Sequence, residues 1–278
     1  MKRIFSLMIR LALAAFMLLV IISPIYFLII VSLFSNTQIT SPSQSIIPDG
    51  FNIGNFLEVI RSDSRFYFAL GWTILFALLA SLLKTIILVT GGFGLSLMKQ
   101  KTRLIISLVL MFFMSIPEII LYTGLYKNTI SWDLKQSVIF LPLSAPLIFS
   151  FFSLMYFQNA FLNIGEKFSK MVMIDRLSVW DRIVYMYLPK IQFSLIVSAI
   201  FSLIYAWNSF LWPNIILPGT GIIFLGQWFR TTGMIPSGQL ENLVAAGAII
   251  TMIIPLIFYW STTKWVNRSF TNPVKQNN

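Results

Sequence analysis

Apolar residues along this chain come in long uninterrupted runs, and polar residues gather between the runs instead of alternating within them. Backbone amides in hydrocarbon must bond within their own segment, so a run of about 17–25 apolar residues reads as a membrane-spanning helix. Six segments qualify: Leu11–Phe34, a long one within Phe66–Met98, Leu104–Tyr126, Gln136–Phe157, Ile191–Pro213 and Asn242–Thr263. A further run, Ile215–Phe229, is short and broken by Pro218, Gly219, Gly221 and Gly226, which suits a re-entrant or interfacial loop. The pattern predicts an all-α integral membrane protein with six transmembrane helices.

Composition agrees with the pattern. The chain is 57% hydrophobic and 10% charged, outside the range of soluble globules. Its net charge of +11 is spread over short segments beside apolar runs, so it speaks for orientation in a membrane and against nucleic-acid binding. An even number of spans puts both termini on one side. The segments of one side hold Lys2, Arg3, Arg10, Lys99, Lys101, Arg103, Lys167, Lys170, Arg176, Arg182, Lys190, Lys264, Arg268 and Lys275, against Arg61, Arg65, Lys127, Lys135 and Arg230 on the other. Positive residues stay inside, which predicts an N-in/C-in topology. The expected organisation is a cytoplasmic N-terminus (1–10), a transmembrane domain (11–265) with a cytoplasmic loop at 158–190, and a polar, frayed cytoplasmic tail (266–278). The apolar run after Met1-Lys2-Arg3-Ile4 is too long for a signal-peptide core and reads as a retained first span. The outer loop at 35–65, with Pro42, Pro48-Asp49-Gly50 and Asn52, has turn chemistry and reads as a short ordered cap.

The cytoplasmic loop is amphipathic. Read as helix, Ile164, Phe168, Met171, Val172 and Ile174 fall largely on one side, with Glu166, Lys167, Lys170 and Asp175 elsewhere. Such a helix lies on a membrane surface or enters a groove on a soluble partner. A second amphipathic stretch, Ser178–Tyr187, leads to Leu188-Pro189, with proline placed where a first helical turn tolerates it.

The residues from this loop onward resemble those of ABC importer permease subunits, in the carbohydrate-uptake class related to the maltose permease. That family carries Glu-Ala-Ala, then Asp-Gly-Ala-Ser, then Leu-Pro, and closes the next span with Trp-Asn-x-Phe-x-Trp-Pro. Asp175, Ser178, Leu188, Pro189, Trp207, Asn208, Phe210, Trp212 and Pro213 stand in the matching places. The similarity continues upstream through Pro48, Asn55-Phe56, Gly92-Phe93-Gly94 and Met114-Ser115-Ile116-Pro117. Lys170-Met171-Val172 replaces Glu-Ala-Ala, and Arg176 replaces the glycine. The resemblance implies the type I ABC importer permease fold. It assigns Glu166, Lys170, Met171, Val172, Asp175, Arg176, Ser178, Leu188 and Pro189 to ATPase coupling; with the charge reversed at Lys170, either the ATPase surface is changed to suit or Glu166, one turn earlier, supplies the carboxylate. It also implies a second homologous permease, two cytosolic ATPase subunits, an extracellular solute-binding protein and a bacterial inner (cytoplasmic) membrane. The outer stretch at 214–241 is the expected contact for the binding protein.

In the fifth span Ser194, Ser198, Ser202, Tyr205, Ser209 and Trp212 share an arc of about 80°, taking about 100° per residue, with Asn208 at its edge. A hydroxyl stripe serves either close helix packing or a polyol pathway; Ser202, Tyr205, Asn208 and Trp212 are the pathway candidates, the bulky ones foremost. Lys84 and Glu118 are ionisable and lie within spans. Each is about 14 positions from the cytoplasmic hairpin, or roughly 21 Å up its helix, and an unpaired charge there is costly, so a Lys84–Glu118 ion pair is the first expectation, the alternative being that both line the aqueous route and interact with solute.

The chain contains no cysteine or histidine, which removes thiol nucleophiles and His-based metal or proton chemistry. A membrane enzyme would also need a nucleophile elbow, which is missing. No phosphate loop is present, so ATP and Mg are expected on a separate subunit, with no cofactor or metal on this chain. An ion-coupled secondary transporter would need intramembrane carboxylates or inverted repeats; one carboxylate and no evident repeat are found. The expectation is therefore an ATP-driven importer subunit for a sugar or related polyol, not an enzyme.

Overall fold

A computed structural model describes residues 2–41, 46–131, 139–164 and 178–271. The described chain is mostly helical. Its helices are α1 (Lys2–Ser32), α2 (Asn36–Thr40), α3 (Gly54–Ser62), α4 (Arg65–Ser96), α5 (Gln100–Met114), α6 (Glu118–Ser131), α7 (Phe140–Ser144), α8 (Phe151–Leu162), α9 (Val179–Asp181), α10 (Gln192–Trp207), α11 (Leu211–Ile216), α12 (Leu225–Trp228) and α13 (Glu241–Thr271). A π-helical stretch, Arg182–Tyr187, follows α9. The chain divides into two compact units, Met1–Leu70 with Ile223–Ile254, and Gly71–Ile222 with Pro255–Asn278.

Among the described residues three helices are long and apolar enough to cross a membrane: α1, α4 and α13, the last over Glu241–Lys264. A fourth candidate is the pair α5 and α6, which bends by 85°. The sequence pattern predicts one straight helix over Leu104–Tyr126, and the structure breaks it at Ser115–Pro117 because Pro117 has no N–H to continue the ladder. The expected Gln136–Phe157 span is likewise divided. Its described part forms α7 and α8, interrupted at 145–150, where Pro146 stops one helix and Ser150 caps the next by accepting from the Ser153 amide at 3.4 Å. The fifth expected span becomes α10, 16 residues long and about 24 Å, followed by a break at 208–210 and α11. The C-terminal helix runs to Thr271, beyond the expected end at 265.

In the first unit, the last carbonyls of α1 lack intrahelical donors, as at any helix end. Asparagines supply them. Asn55 Nδ2 donates to the carbonyls of Ser32 and Phe34, both at 2.8 Å. Asn242, fully buried, donates to Phe34 O at 3.0 Å and Asn36 Oδ1 at 2.8 Å. Asp63 and Arg65 form an ion pair at 2.8 Å, and Phe66 packs on Trp228 with centroids 4.9 Å apart. The run predicted as a re-entrant or interfacial loop, Ile215–Phe229, contributes α12, and beyond it lies a small antiparallel hairpin, Met234–Ile235 with Gly238–Gln239, so the fold is not purely helical. Gly233 at φ 67° permits the hairpin's approach, where a Cβ would meet Leu240 O at 2.8 Å.

The second unit is built on a core of Leu88, Val89, Phe93, Leu95, Leu154, Phe157, Phe161, Ile183, Tyr187 and Ile191. Glycine makes this core possible at one point. A Cβ on Gly92 would lie 2.7 Å from Phe157 Cβ and 2.9 Å from the Gln158 nitrogen, so α4 and α8 pack backbone to backbone there.

Candidate functional site

Polar chemistry within the second unit converges on Glu118. Pro117 ends the break, and Glu118 opens α6, where a carboxylate is favoured by the positive end of the helix dipole. One turn on, Tyr122 Oη donates to Glu118 Oε2 at 3.0 Å. From α10, Tyr205 Oη reaches Glu118 Oε1 at 3.5 Å. Lys84 on α4 places its Nζ 4.8 Å from the centroid of the Tyr205 ring, a cation–π distance. The expected Lys84–Glu118 ion pair is thus not a direct contact: among the described residues the two charges do not meet, and Tyr205 lies between them, its ring to the ammonium and its hydroxyl to the carboxylate. The break at Ser115–Pro117 explains why counting residues up two straight helices misplaced the pair.

The fifth-span candidates separate by exposure. Tyr205 is 45% exposed and Asn208 is also exposed, whereas Ser198 and Ser202 are buried. Ser81 Oγ donates to Ala199 O at 3.1 Å, so α4 and α10 meet along this small-residue seam. Trp212, expected along the pathway, is fully buried. Its Nε1 donates to Pro142 O at 3.1 Å, and its ring lies 5.2 Å from that of Tyr122. It therefore supports the tyrosine that holds Glu118 and offers no surface of its own. Tyr122 was absent from the sequence candidates; its spacing of four from Glu118 was the available signal.

Of the coupling residues, Glu166, Lys170, Met171, Val172, Asp175 and Arg176 lie outside the described residues. The remaining three form an anchored arm. Ser178 Oγ donates to Asp181 Oδ2 at 2.6 Å and accepts from the Asp181 amide at 3.2 Å, capping α9. The wider π-helix ends with the Leu188 amide on Ile183 O at 2.8 Å, just before Pro189, whose ring crowds the carbonyl four residues back. Leu188 is half-buried and Pro189 exposed. The π-turn aims Ile183 and Tyr187 into the core, where the Tyr187 ring lies 5.1 Å from Phe93 on α4 and 5.9 Å from Phe161 on α8.

Residues 88–271, more than half of the chain, match the family model described as "Binding-protein-dependent transport system inner membrane component". The chain belongs to this family. The permease is 27% identical over 268 residues to a probable ABC transporter permease protein of Mycoplasma genitalium, covering 91% of this chain and 83% of the relative. It is 22% identical over 245 residues to the arabinooligosaccharides transport system permease protein AraQ of Halalkalibacterium halodurans, covering 87% and 86%. Its fold is that of a chain in the crystal structure of a bacterial ABC transporter involved in the import of the acidic polysaccharide alginate, with a TM-score of 0.75, 18% identity, and coverage of 94% and 96%. The family match includes the arm at 178–191 and Glu118, Tyr122 and Tyr205, while Lys84 precedes it.

Proposed function

We propose that this permease forms half of the transmembrane pathway of an ATP-driven, binding-protein-dependent importer for a sugar or related polyol. A second permease, two ATPase subunits that bind ATP and Mg, and an extracellular solute-binding protein complete the assembly in a bacterial inner membrane. The chain crosses that membrane six times with both termini inside, the broken helices α5–α6 and α7–α8 each counting as one crossing. It performs no hydrolysis itself.

The observation that carries this reading is the seating of Tyr187 against both Phe93 and Phe161. Packed cores are poorly compressible, so a push delivered by an ATPase to the 163–189 loop is passed to α4 and α8. α4 also bears Lys84, against Tyr205, which supports a route from the cytosolic arm to the pathway-facing residues Tyr205 and Asn208. The cargo class follows the sugar-transport relative and the half-exposed aromatic face of Tyr205, since such faces stack on polyols.

The test is uptake by vesicles holding the complete transporter. ATP inside the vesicles drives accumulation, and Tyr187→Ala cuts uptake at least severalfold while leaving basal ATP hydrolysis by the partner in place. Accumulation driven by an ion gradient without ATP would overturn the reading.

A further inference from the structure

The Glu118 cluster has a property that membrane placement makes informative. Lys84 is 7% exposed, and among the described residues its ammonium has no hydrogen-bonded acceptor; its neighbour is the Tyr205 ring. Glu118 itself is exposed. Each of its oxygens accepts one tyrosine hydroxyl and keeps room for a further donor. The helix break adjoining it lies at the end of the 15-residue α5, about 22 Å from the cytoplasmic hairpin and so inside a hydrocarbon core of about 30 Å.

Exposed carboxylate and broken backbone at that depth do not face lipid; they face water or protein. Membrane subunit seams are made close by small residues. The small residues of α10, Ser198 and Ser202, are already buried within this unit, while the large polar Tyr205 and Asn208 present surface. That division favours water.

We infer that Glu118 is a fixed negative charge on the wall of the solute passage, clamped by two tyrosine hydroxyls, which admits solutes presenting hydroxyl or ammonium hydrogens and turns away anions. The inference rests on the proposal that Tyr205 and Asn208 line the passage. Lys84, enclosed against the Tyr205 ring, holds that ring in place and is shielded from the passage by it.

The chain has no cysteine, so Asn208→Cys places a single thiol one turn from Tyr205 without altering the cluster. In the assembled transporter, the thiol reacts with a cationic methanethiosulfonate faster than with an anionic one by about tenfold, after correction for their rates with a free thiol. Adding Glu118→Gln, which keeps an acceptor for one tyrosine hydroxyl and offers the other an N–H donor, brings the ratio close to unity while reaction with neutral maleimide is unchanged. If that variant fails to assemble, raising salt on Asn208→Cys alone lowers the ratio instead, as the Debye length shrinks from about 30 Å at 0.01 M to about 3 Å at 1 M.

Equal rates for the two reagents, or a ratio that ignores both Glu118→Gln and salt, overturn the inference. Reaction only with a lipophilic maleimide means a lipid face, and reaction only in the isolated chain means a subunit seam. Either overturns the placement of these residues on the passage. The importer reading is separate, resting on ATP-driven uptake by the unsubstituted protein in the same vesicles.

Discussion

Replacing Gly92 by alanine tests how α4 meets α8. In an open helix the change would stabilise, since alanine exceeds glycine by about 0.5–1 kcal/mol. At Gly92 the new methyl would sit 2.7 Å from Phe157 Cβ, 2.9 Å from the Gln158 nitrogen and 3.1 Å from the Phe157 carbonyl carbon. Two of those atoms are backbone and the third is fixed to it, so no side-chain rotation relieves the clash. The helices must separate, opening the core around Leu88, Phe93 and Phe157, and such overpacking costs about 1–3 kcal/mol. Gly94 on the same helix is the control, because a Cβ there meets nothing within 4 Å. Gly94→Ala is therefore expected at or above wild-type stability, and Gly92→Ala below it, the two separated by roughly 1.5–4 kcal/mol. Apparent Tm of the detergent-solubilised protein, read by the loss of its monodisperse chromatographic peak after heating at a fixed rate, provides the comparison. Equal Tm for the two variants would falsify the backbone-to-backbone contact.

Tyr122→Phe removes a hydroxyl donated to Glu118 at 3.0 Å and lowers stability by about 1–2 kcal/mol, less than a fully buried bond to a charge because Glu118 is exposed; Tyr205→Phe, at 3.5 Å, costs less, and the same heating assay ranks them. Asn55→Ala leaves the Ser32 carbonyl at the end of α1 without its side-chain donor and the Phe34 carbonyl with Asn242 alone, and destabilises by about 1–3 kcal/mol, seen as faster proteolysis between α1 and α3. The Arg65 guanidinium hydrogen-bonds Asp63 and holds its carboxyl below the usual range. A lowered folded-state pKa contributes stability that is complete above the unfolded-state value and is lost as pH falls through the folded one. Wild-type Tm therefore has a small acid-side decline, seen below pH about 4, that Asp63→Asn lacks; it is small because the Arg65 half of the pair is exposed to solvent.

How far the chain could be read in advance differs from residue to residue. α1, α4 and α13 were plain because their apolar runs exceed a bilayer's thickness, a property local to each run. The break at Ser115–Pro117 was legible only as a motif, since a proline in a membrane helix kinks, breaks or is absorbed according to its neighbours. Lys84 and Glu118 were legible as ionisable residues within apolar runs, but Tyr205 stands between them on a third helix. Trp212 looked like a pathway residue because it is bulky and shares the hydroxyl arc of the fifth span; its burial against Tyr122 and Pro142 depends on α7, distant in sequence.

The amino-acid sequence alone determined the membrane as solvent and the permease family, because hydrophobic run length and short motifs act through neighbours along the chain. Only the tertiary structure decided that Tyr205 joins an ammonium to a carboxylate, that Gly92 brings two backbones together and that Tyr187 anchors the arm in the core. These are distances between helices, which the order of residues within any one helix does not contain.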